Sequence, residues 1–236
     1  MKTGRYRHKF NENRKKAASC AASFLMSLAL IGGSLGADTG FSDLSEGPTG
    51  SKMLELRDGG IVVGVGQGLF APQRSLSAAE GVQLLVKAFN LNLDSIRFIK
   101  EPLATDSFPK ADNKAWYAQA LIIASVHGMN LPSELDPASN WTREEFIYRL
   151  VSAMENYGGL PYIKIVLREI SDEESLNIEY SGAVQRALYY GLTDLNKDGS
   201  FKPKDIITRE EAAEQIYNAL QYLKAHPAPD PGDGPL

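Results

Sequence analysis

One short pattern occurs three times along the chain and limits what the chain can fold into. Each copy contains Pro, four residues, Ser or Thr, two residues and Glu, and the copies span 72–80, 137–145 and 203–211. Successive glutamates lie 65 and 66 residues apart. A nearly constant period of this length is typical of repeated helical units, which bury their apolar faces only by packing against one another. The sequence therefore predicts three packed units.

The repeated pattern has a physical cause in the way helices begin. In a Ser/Thr-x-x-Glu capping box, the hydroxyl accepts a hydrogen bond from the amide three residues on, and the Glu carboxylate accepts one from the cap's own amide. An apolar residue precedes each cap, namely Leu76, Trp141 and Ile207, and can pack on the first helical turn. Apolar residues at helical spacing follow each box, so a helix is predicted behind each one.

A second helix is predicted upstream of each box, which makes the fold class mainly α. In the middle unit Asp112 is placed to cap a helix that carries Trp116 and stops at Gly128. In the third unit the upstream helix stops at Gly191, and in the first it is short, around Met53 to Leu56. Glycine is favoured directly after a helix because it adopts the left-handed conformation at little cost.

The first 37 residues have the pattern of an export signal. They contain seven Lys and Arg and one Glu, and an apolar run at 21–35 follows the basic stretch. This pattern favours a cleaved signal peptide at 1–37 over a retained membrane anchor, because the apolar run is short for a span. Cys20, the only cysteine, lies inside it, so the mature chain is predicted to have no disulfide or thiol chemistry. Residues 225–236 are rich in Pro and Gly and are predicted to be a disordered tail.

The remaining composition argues against several functions. Beyond residue 37 there are 18 Lys and Arg against 28 Asp and Glu, which disfavours nucleic-acid binding. The sequence has no clear pattern of catalytic, metal-binding or cofactor-binding residues, and we predict that the protein is not an enzyme. One alternative concerns 194–205, which resembles a calcium loop of the EF-hand type. Lys202 and Pro203 fall at its ninth and tenth positions, which favours a repeat loop rich in turn formers.

The ordered set of motifs resembles the S-layer homology repeat, with predicted repeats at 41–93, 106–156 and 167–224. That repeat has an opening aromatic residue and Asp, a Trp-Ala helix, a Gly-Ile turn, a Phe-x-Pro loop and an Ile-Thr-Arg-Ala-Glu helix start. The middle repeat matches at 108–112, 116–118, 128, 137 and 141–146. The third matches at 172, 191–192, 201–203 and 207–211, and the first, more degenerate, at 41–43, 60–61 and 70–72.

The resemblance implies both a fold and a function. Three such repeats are expected to form a pseudo-threefold helical assembly whose grooves hold a secondary cell-wall polysaccharide carrying a pyruvate ketal. The protein would then be secreted and anchored at a bacterial cell wall, with no membrane span after signal cleavage, no cofactor, and possible self-association. The residues implied in glycan binding are Asp112, Trp116, Gly128, Arg143, Asp172, Gly191 and Arg209.

Arg143 and Arg209 also have a physical interpretation of their own. Each occupies the first position of its helix, where a cation is unfavourable beside the positive end of the helix dipole. Together with the helix amides, however, a guanidinium forms a good receptor for a carboxylate. The alternative is that each Arg pairs with Glu144, Glu210 or an acid of another repeat. Guanidiniums held by carboxylates of the chain itself would remove this anion receptor, and with it the anchoring that is predicted to depend on it.

The sequence further predicts that the grooves differ in strength. Ala78 stands in the first repeat where the others have Arg, so at least one groove is expected to be weak or inactive. The middle repeat has a shorter loop, which puts the shape of its groove in question. The second hypothesis for function is therefore a structural or protein-interaction module that has kept the fold and lost glycan binding, with a calcium-binding variant at 194–205.

Overall fold

The computed structural model describes residues 40–160 and 164–228. Six α-helices lie in this part of the chain: α1 (Pro48–Asp58), α2 (Ala78–Ala88), α3 (Ala118–Val126), α4 (Arg143–Gly158), α5 (Ile178–Tyr189) and α6 (Arg209–Ala225). Two short 3-10 helices, Ala104–Asp106 and Glu173–Ser175, accompany them. The described residues form isolated bridges but no sheet, which confirms the mainly α class. None of their helices has the length and apolar character needed to cross a membrane. The predicted signal peptide and most of the predicted tail lie outside the described residues.

The three capping boxes form as the sequence predicts. Ser77, Thr142 and Thr208 cap α2, α4 and α6, and each hydroxyl accepts from the amide of the Glu three residues on, at 3.3, 3.4 and 3.2 Å. Each Glu carboxylate accepts in return from the amide of its cap, at 3.1, 2.9 and 2.9 Å. These local bonds fix the starts of the three helices, where the backbone hydrogen bonds among Leu76, Trp141 and Ile207 described below also lie.

The upstream helices agree with the prediction at their ends and differ at one beginning. Gly128 and Gly191 follow α3 and α5 with left-handed φ values of 68° and 67°. However, α3 begins at Ala118, after Trp116, and is not capped by Asp112. The Asp112 carboxylate instead accepts from the Lys114 amide at 2.9 Å, which closes a turn ahead of the helix. Trp116 is therefore 63% exposed rather than packed on a helical face.

A ring of backbone hydrogen bonds joins the three helix entrances in the core. The Leu76 amide donates to the Ile207 carbonyl at 3.0 Å, the Ile207 amide to Trp141 at 3.1 Å, and the Trp141 amide to Leu76 at 3.2 Å. All three side chains are buried. Gly81 of α2 lies directly over the Trp141 indole, and a Cβ there would come within 2.1 Å of the ring. The three entrances thus form one junction rather than three separate structures.

Candidate ligand-binding groove

The amides at the helix starts are already occupied. In α4, the Arg143 amide donates to the Asp205 carbonyl and the Glu144 amide to Pro203, at 2.9 and 3.2 Å. The first two amides of α6 donate likewise to Arg74 and Pro72, and those of α2 to Ser139 and Pro137. Each helix start is thus capped by the proline loop that precedes another capping-box helix. Since the third amide bonds to the cap hydroxyl, these helix starts offer no amides to an external anion.

Arg209 is held inside the chain by three different groups. Its Nη1 lies 2.9 Å from the Glu80 carboxylate, its Nε donates to the Phe70 carbonyl at 3.0 Å, and its Nη2 donates to the Val63 carbonyl at 3.0 Å. The guanidinium also lies over the Phe70 ring, 4.9 Å from its centre. Its side chain is 8% exposed, so Arg209 ties the start of α6 to α2.

Arg143 is held in a similar way at the start of α4. Its Nη1 lies 2.6 Å from the Glu211 carboxylate, its Nε donates to the Phe201 carbonyl at 3.1 Å, and the guanidinium lies 5.1 Å from the Phe201 ring centre. The anion receptor predicted at the two helix starts is therefore wrong, because both guanidiniums pair with acids of another capping box. The structure agrees with the alternative, in which each arginine pairs with an acid from a distant part of the chain.

Burial and pairing act in opposite directions on the Arg209–Glu80 pair. Burial alone would raise the pKa of Glu80, but the Ser77 amide and the Arg209 and Arg74 guanidiniums lower that pKa below its ordinary value. Burial lowers the pKa of Arg209, and the Glu80 carboxylate opposes this. The pair is thus a partly desolvated ion pair that depends on both members being charged.

The predicted site residue Asp172 supports a loop. Its two carboxylate oxygens accept from the amides of Phe201 and Lys202, both at 2.8 Å, and Lys202 has a left-handed φ of 57°. Asp43 does the same for Phe70 and Ala71. A carboxylate that binds two consecutive amides stabilises such a turn. Asp172 is therefore engaged within the chain, and Gly128 and Gly191 serve as turn residues.

An open groove of about 580 Å³ lies beside α2. Three cationic side chains line it, Arg74, Lys87 and Arg209, together with the acid Glu80 and the exposed Trp116. Arg74 also pairs with Glu80 and is nearly half exposed. Lys87 forms no ion pair within the described part of the chain. Because cations outnumber acids in this lining, the groove suits an anionic ligand.

The groove brings together only two of the predicted residues, Arg209 and Trp116. The sequence interpretation missed Arg74, Gln83 and Lys87. Gln83 and Lys87 lie three and seven residues after Glu80, so helical spacing from the capping box would have placed them on one face. Asp112, Gly128, Arg143, Asp172 and Gly191 do not line this groove.

The equivalent surface beside α4 is nearly filled. Tyr148, Arg149 and Ser152 occupy the positions that Gln83, Leu84 and Lys87 hold in α2, and they line a cavity of about 10 Å³. The Arg149 guanidinium lies 4.6 Å from the centre of the buried Trp141 ring, and its Nη1 donates to the Glu145 carbonyl at 2.9 Å. Burial lowers the pKa of Arg149. This side chain serves as packing rather than as an exposed charge.

The corresponding face of α6 carries an ion pair. Glu214 and Asn218 replace Gln83 and Lys87, and Lys52 of α1 donates to both, at 2.7 and 3.3 Å. An acid therefore stands where the groove beside α2 has a neutral amide, and the lysine is paired within the chain.

The loop at 194–205 is satisfied by its own side chains. Asp198 accepts from the amide and hydroxyl of Ser200 at 3.0 and 2.7 Å, and the Asn196 amide donates to the Ser200 carbonyl at 2.9 Å. Across the described residues, no three His, Cys, Asp or Glu side chains are grouped to hold a metal ion. The loop geometry is that of a turn.

Comparison with known families identifies one part of the chain. Residues 174–213 match the S-layer homology domain, a module that anchors proteins to bacterial cell walls. The matched segment runs through α5 and into the start of α6, so it includes Gly191, Arg209 and Glu211. This part of the chain is therefore similar to a cell-wall anchoring module.

Several bacterial proteins are similar over most of the chain. An endoglucanase of Bacillus sp. (strain KSM-635) is 28% identical over 178 residues, which is 73% of this chain and 18% of that protein. An exoglucanase of Acetivibrio thermocellus is 26% identical over 77% of this chain and 16% of its own length. A surface-layer 125 kDa protein of Lysinibacillus sphaericus is 24% identical over 94% of this chain and 18% of its own. The chain thus spans less than a fifth of each of these relatives.

Proposed function

We propose that this protein is a non-catalytic module that anchors to a bacterial cell-wall polysaccharide through the groove beside α2. The family match supports wall association, and the surface-layer relative supports a place at the cell surface. The activities named for the glucanase relatives are not transferred, because the shared segment is a small share of those proteins. Export by a cleaved signal peptide at 1–37 belongs to the same proposal.

The chemistry of the groove supports an acidic sugar as ligand. Arg74 and Lys87 provide partly exposed cations for a carboxylate such as a pyruvate ketal. The exposed Trp116 offers an apolar ring face against which the C–H groups of a sugar can pack. The observation that carries the proposal is that these three side chains, from three separate segments, converge on one open cavity.

We propose that the three units form the pseudo-threefold arrangement that the sequence resemblance implies. The ring of hydrogen bonds at Leu76, Trp141 and Ile207 supports this arrangement. The pairing of Arg209 with Glu80 and of Arg143 with Glu211 supports it too, because each arginine reaches the capping box of another unit. In such an arrangement Arg209 of α6 supplies the arginine beside α2. Ala78, the first residue of α2, takes the corresponding position beside α4. The missing arginine therefore belongs to the closed α4 surface, and the groove beside α2 is the one we propose to be functional.

A wall-binding assay tests this proposal. Purified residues 38–236 should co-sediment with wall fragments that keep their polysaccharide and remain in solution with walls stripped of it. Lys87→Ala and Trp116→Ala should each weaken sedimentation about tenfold, which corresponds to about 1.4 kcal/mol. Lys110→Ala, an exposed lysine away from the groove, serves as the matched control and should bind as the unchanged chain does. Equal sedimentation with intact and stripped walls would overturn the proposal.

The second hypothesis, an interaction module without glycan binding, gives a different result in the same experiment. It predicts no polysaccharide-dependent sedimentation, together with a mass above that of one chain by light scattering. A rise in melting temperature on adding calcium would identify its calcium-binding variant at 194–205.

A further inference from the structure

The segment that leads from α4 to α5 has the composition of a β-strand but no partner strand among the described residues. Residues 164–169 read Lys-Ile-Val-Leu-Arg-Glu, and β-branched residues of this kind favour extended backbone. They take part in no helix or β-bridge that the structure describes. Val166 and Leu167 are 89% and 69% exposed. Because successive side chains of an extended segment point to opposite faces, both faces of this segment are open to solvent.

One edge of this segment is held by the buried side chain of Gln185 in α5. The Gln185 amide group accepts from the Arg168 N–H and donates to the Arg168 carbonyl, both at 2.9 Å. A neighbouring strand exchanges the same two hydrogen bonds with a residue in extended backbone. Such a residue directs its N–H and C=O to one edge, and the residues before and after it direct theirs to the other edge. Gln185 therefore takes the place of a strand along one edge of the segment.

The other edge of the segment has unpaired backbone groups. Leu167 precedes Arg168, so its N–H and C=O point away from Gln185, as do those of Ile165 and Glu169. The backbone groups of these three residues form no hydrogen bond with any residue that the structure describes. An exposed edge with unpaired N–H and C=O groups is a template for a further strand. The chain thus presents an edge to which an extended segment can add.

The charges of the segment favour its own sequence as that added strand, in antiparallel orientation. Lys164 and Arg168 are positive and lie in its first part, and four acids follow at 169–174. Arg168 lies 3.7 Å from Asp194 and is still 49% exposed. Antiparallel pairing of two copies places the basic part of each beside the acidic part of the other, whereas parallel pairing would bring like charges together. The edge is therefore complementary to itself in backbone groups and in charge.

From this arrangement we infer that residues 164–169 bind the same segment of a second copy of this chain, in an antiparallel pair centred on Leu167. In this register Leu167 stands opposite Leu167 of the other copy, and Ile165 stands opposite Glu169 in both directions. Each of these three pairs exchanges two hydrogen bonds, about six in all. The pair has two-fold symmetry and is closed, because Gln185 occupies the remaining edge in each copy. Residues 164–169 do not line the groove beside α2, so the pairing is compatible with the proposed function and does not depend on it.

Sedimentation velocity tests the association with purified residues 38–236. A pair this short is smaller than the interfaces of about 1,200 Å² or more that stable complexes form, so the mass should rise from one chain to two between about 10 μM and about 1 mM. Leu167→Pro removes the central donor of the open edge and should raise the Kd at least about tenfold. Val166→Pro is the matched control, because the amide that it removes points to the Gln185 edge, and it should associate as the unchanged chain does. Neither amide has a partner within the described chain, so both variants should keep the melting temperature.

Cysteine cross-linking tests the orientation and register, because residues 38–236 contain no cysteine. Leu167→Cys places two thiols opposite each other with Cα atoms about 5.5 Å apart, within the reach of a disulfide. Lys164→Cys, at another exposed position of the segment, leaves its two thiols about 20 Å apart, because six residues of strand separate them. Mild oxidation should therefore join two chains of Leu167→Cys and leave Lys164→Cys as single chains.

Several outcomes would overturn the inference. A single-chain mass at every concentration would show that the edge does not pair with a second copy. Equal association of Leu167→Pro and the unchanged chain would place the contact on another surface. Equal cross-linking of the two cysteine variants would exclude the antiparallel register centred on Leu167. If the chain pairs as expected but never sediments with intact walls, the anchoring function fails and the pairing stands.

Discussion

The groove beside α2 and the equivalent surface beside α4 begin from the same local structure and end differently. Both helices start at a capping box, with Glu80 in the first turn of α2 and Glu145 in the first turn of α4. Beside α2 the cavity is about 580 Å³, and beside α4 it is about 10 Å³. The two helix faces differ in their side chains, because α4 has Tyr148, Arg149 and Ser152 at the positions of Gln83, Leu84 and Lys87 in α2. A shared backbone therefore does not imply a shared site.

The arginine at the helix start follows the same lesson. Arg209 reaches the α2 groove and Arg143 reaches the equivalent place at α6, while Ala78 has no charge to give to α4. At α4 it is Arg149, from within the helix, that lies over the buried Trp141 ring. Loss of a cation from one unit is thus accompanied by closure of the surface on another.

The largest expected effect concerns the link between α6 and the α2 groove. Arg209→Ala leaves two carbonyls unpaired and removes one of the two guanidiniums that pair with Glu80, and we expect it to lower the free energy of unfolding by about 3 kcal/mol. Arg143→Ala should cost less, because its partner Glu211 is 39% exposed and Glu80 only 13%. Urea unfolding followed by circular dichroism measures both. Equal losses would show that the two links do not differ as their burial indicates.

A smaller effect is expected from giving α2 the side chains of α4. The double variant Gln83→Tyr/Lys87→Ser should narrow the groove with the Tyr ring and remove the Lys87 cation, and so weaken wall binding at least about tenfold. Its melting temperature should change little, because both positions are only half buried. Sedimentation with walls and a thermal melt provide the two measurements. Lys110→Ser, away from the groove, controls for the lost charge, and unchanged binding by the double variant would place the ligand elsewhere.

The smallest expected effect is a pH dependence of the free energy of unfolding, which arises from Glu80 in the groove beside α2. Because the folded pKa of Glu80 lies below its ordinary value of 4.5, its ionised form stabilises the fold at pH values above 4.5. That contribution is lost as the pH falls below 4.5 and through the lowered pKa. Urea unfolding at pH 6, 4 and 3 should therefore show the difference between the unchanged chain and Glu80→Gln shrinking with falling pH. A constant difference would contradict the assignment.

Features that depend on neighbouring residues could be predicted from the sequence. The capping boxes at Ser77, Thr142 and Thr208 and the glycine turns at Gly128 and Gly191 follow from local hydrogen bonds and backbone preferences. The start of α3 was misplaced because Asp112 is as suitable for a turn as for a helix cap. That error put Trp116 on a helix instead of at the edge of a groove.

Features that depend on distant residues could not be predicted in this way. Arg209 pairs with Glu80, 129 residues earlier in the chain, and nothing near either residue in the sequence specifies the other. The sequence analysis singled out Arg209, but it assigned the arginine to a free anion site, whereas the structure pairs it with Glu80 of another capping box. The signal peptide, the repeat boundaries and the glycan contacts remain predictions.

The ring formed by Leu76, Trp141 and Ile207 has a consequence for how quickly the chain can reach its native state. Helix-rich proteins usually fold fast, because most of their contacts join residues close in sequence. Here each bond of the ring joins segments at least 65 residues apart, so long loops must close before any entrance gains its partners. We expect a helical protein with the slow, all-or-none kinetics more typical of β-rich folds, in which a nascent chain stays unfolded until its last entrance has been synthesised.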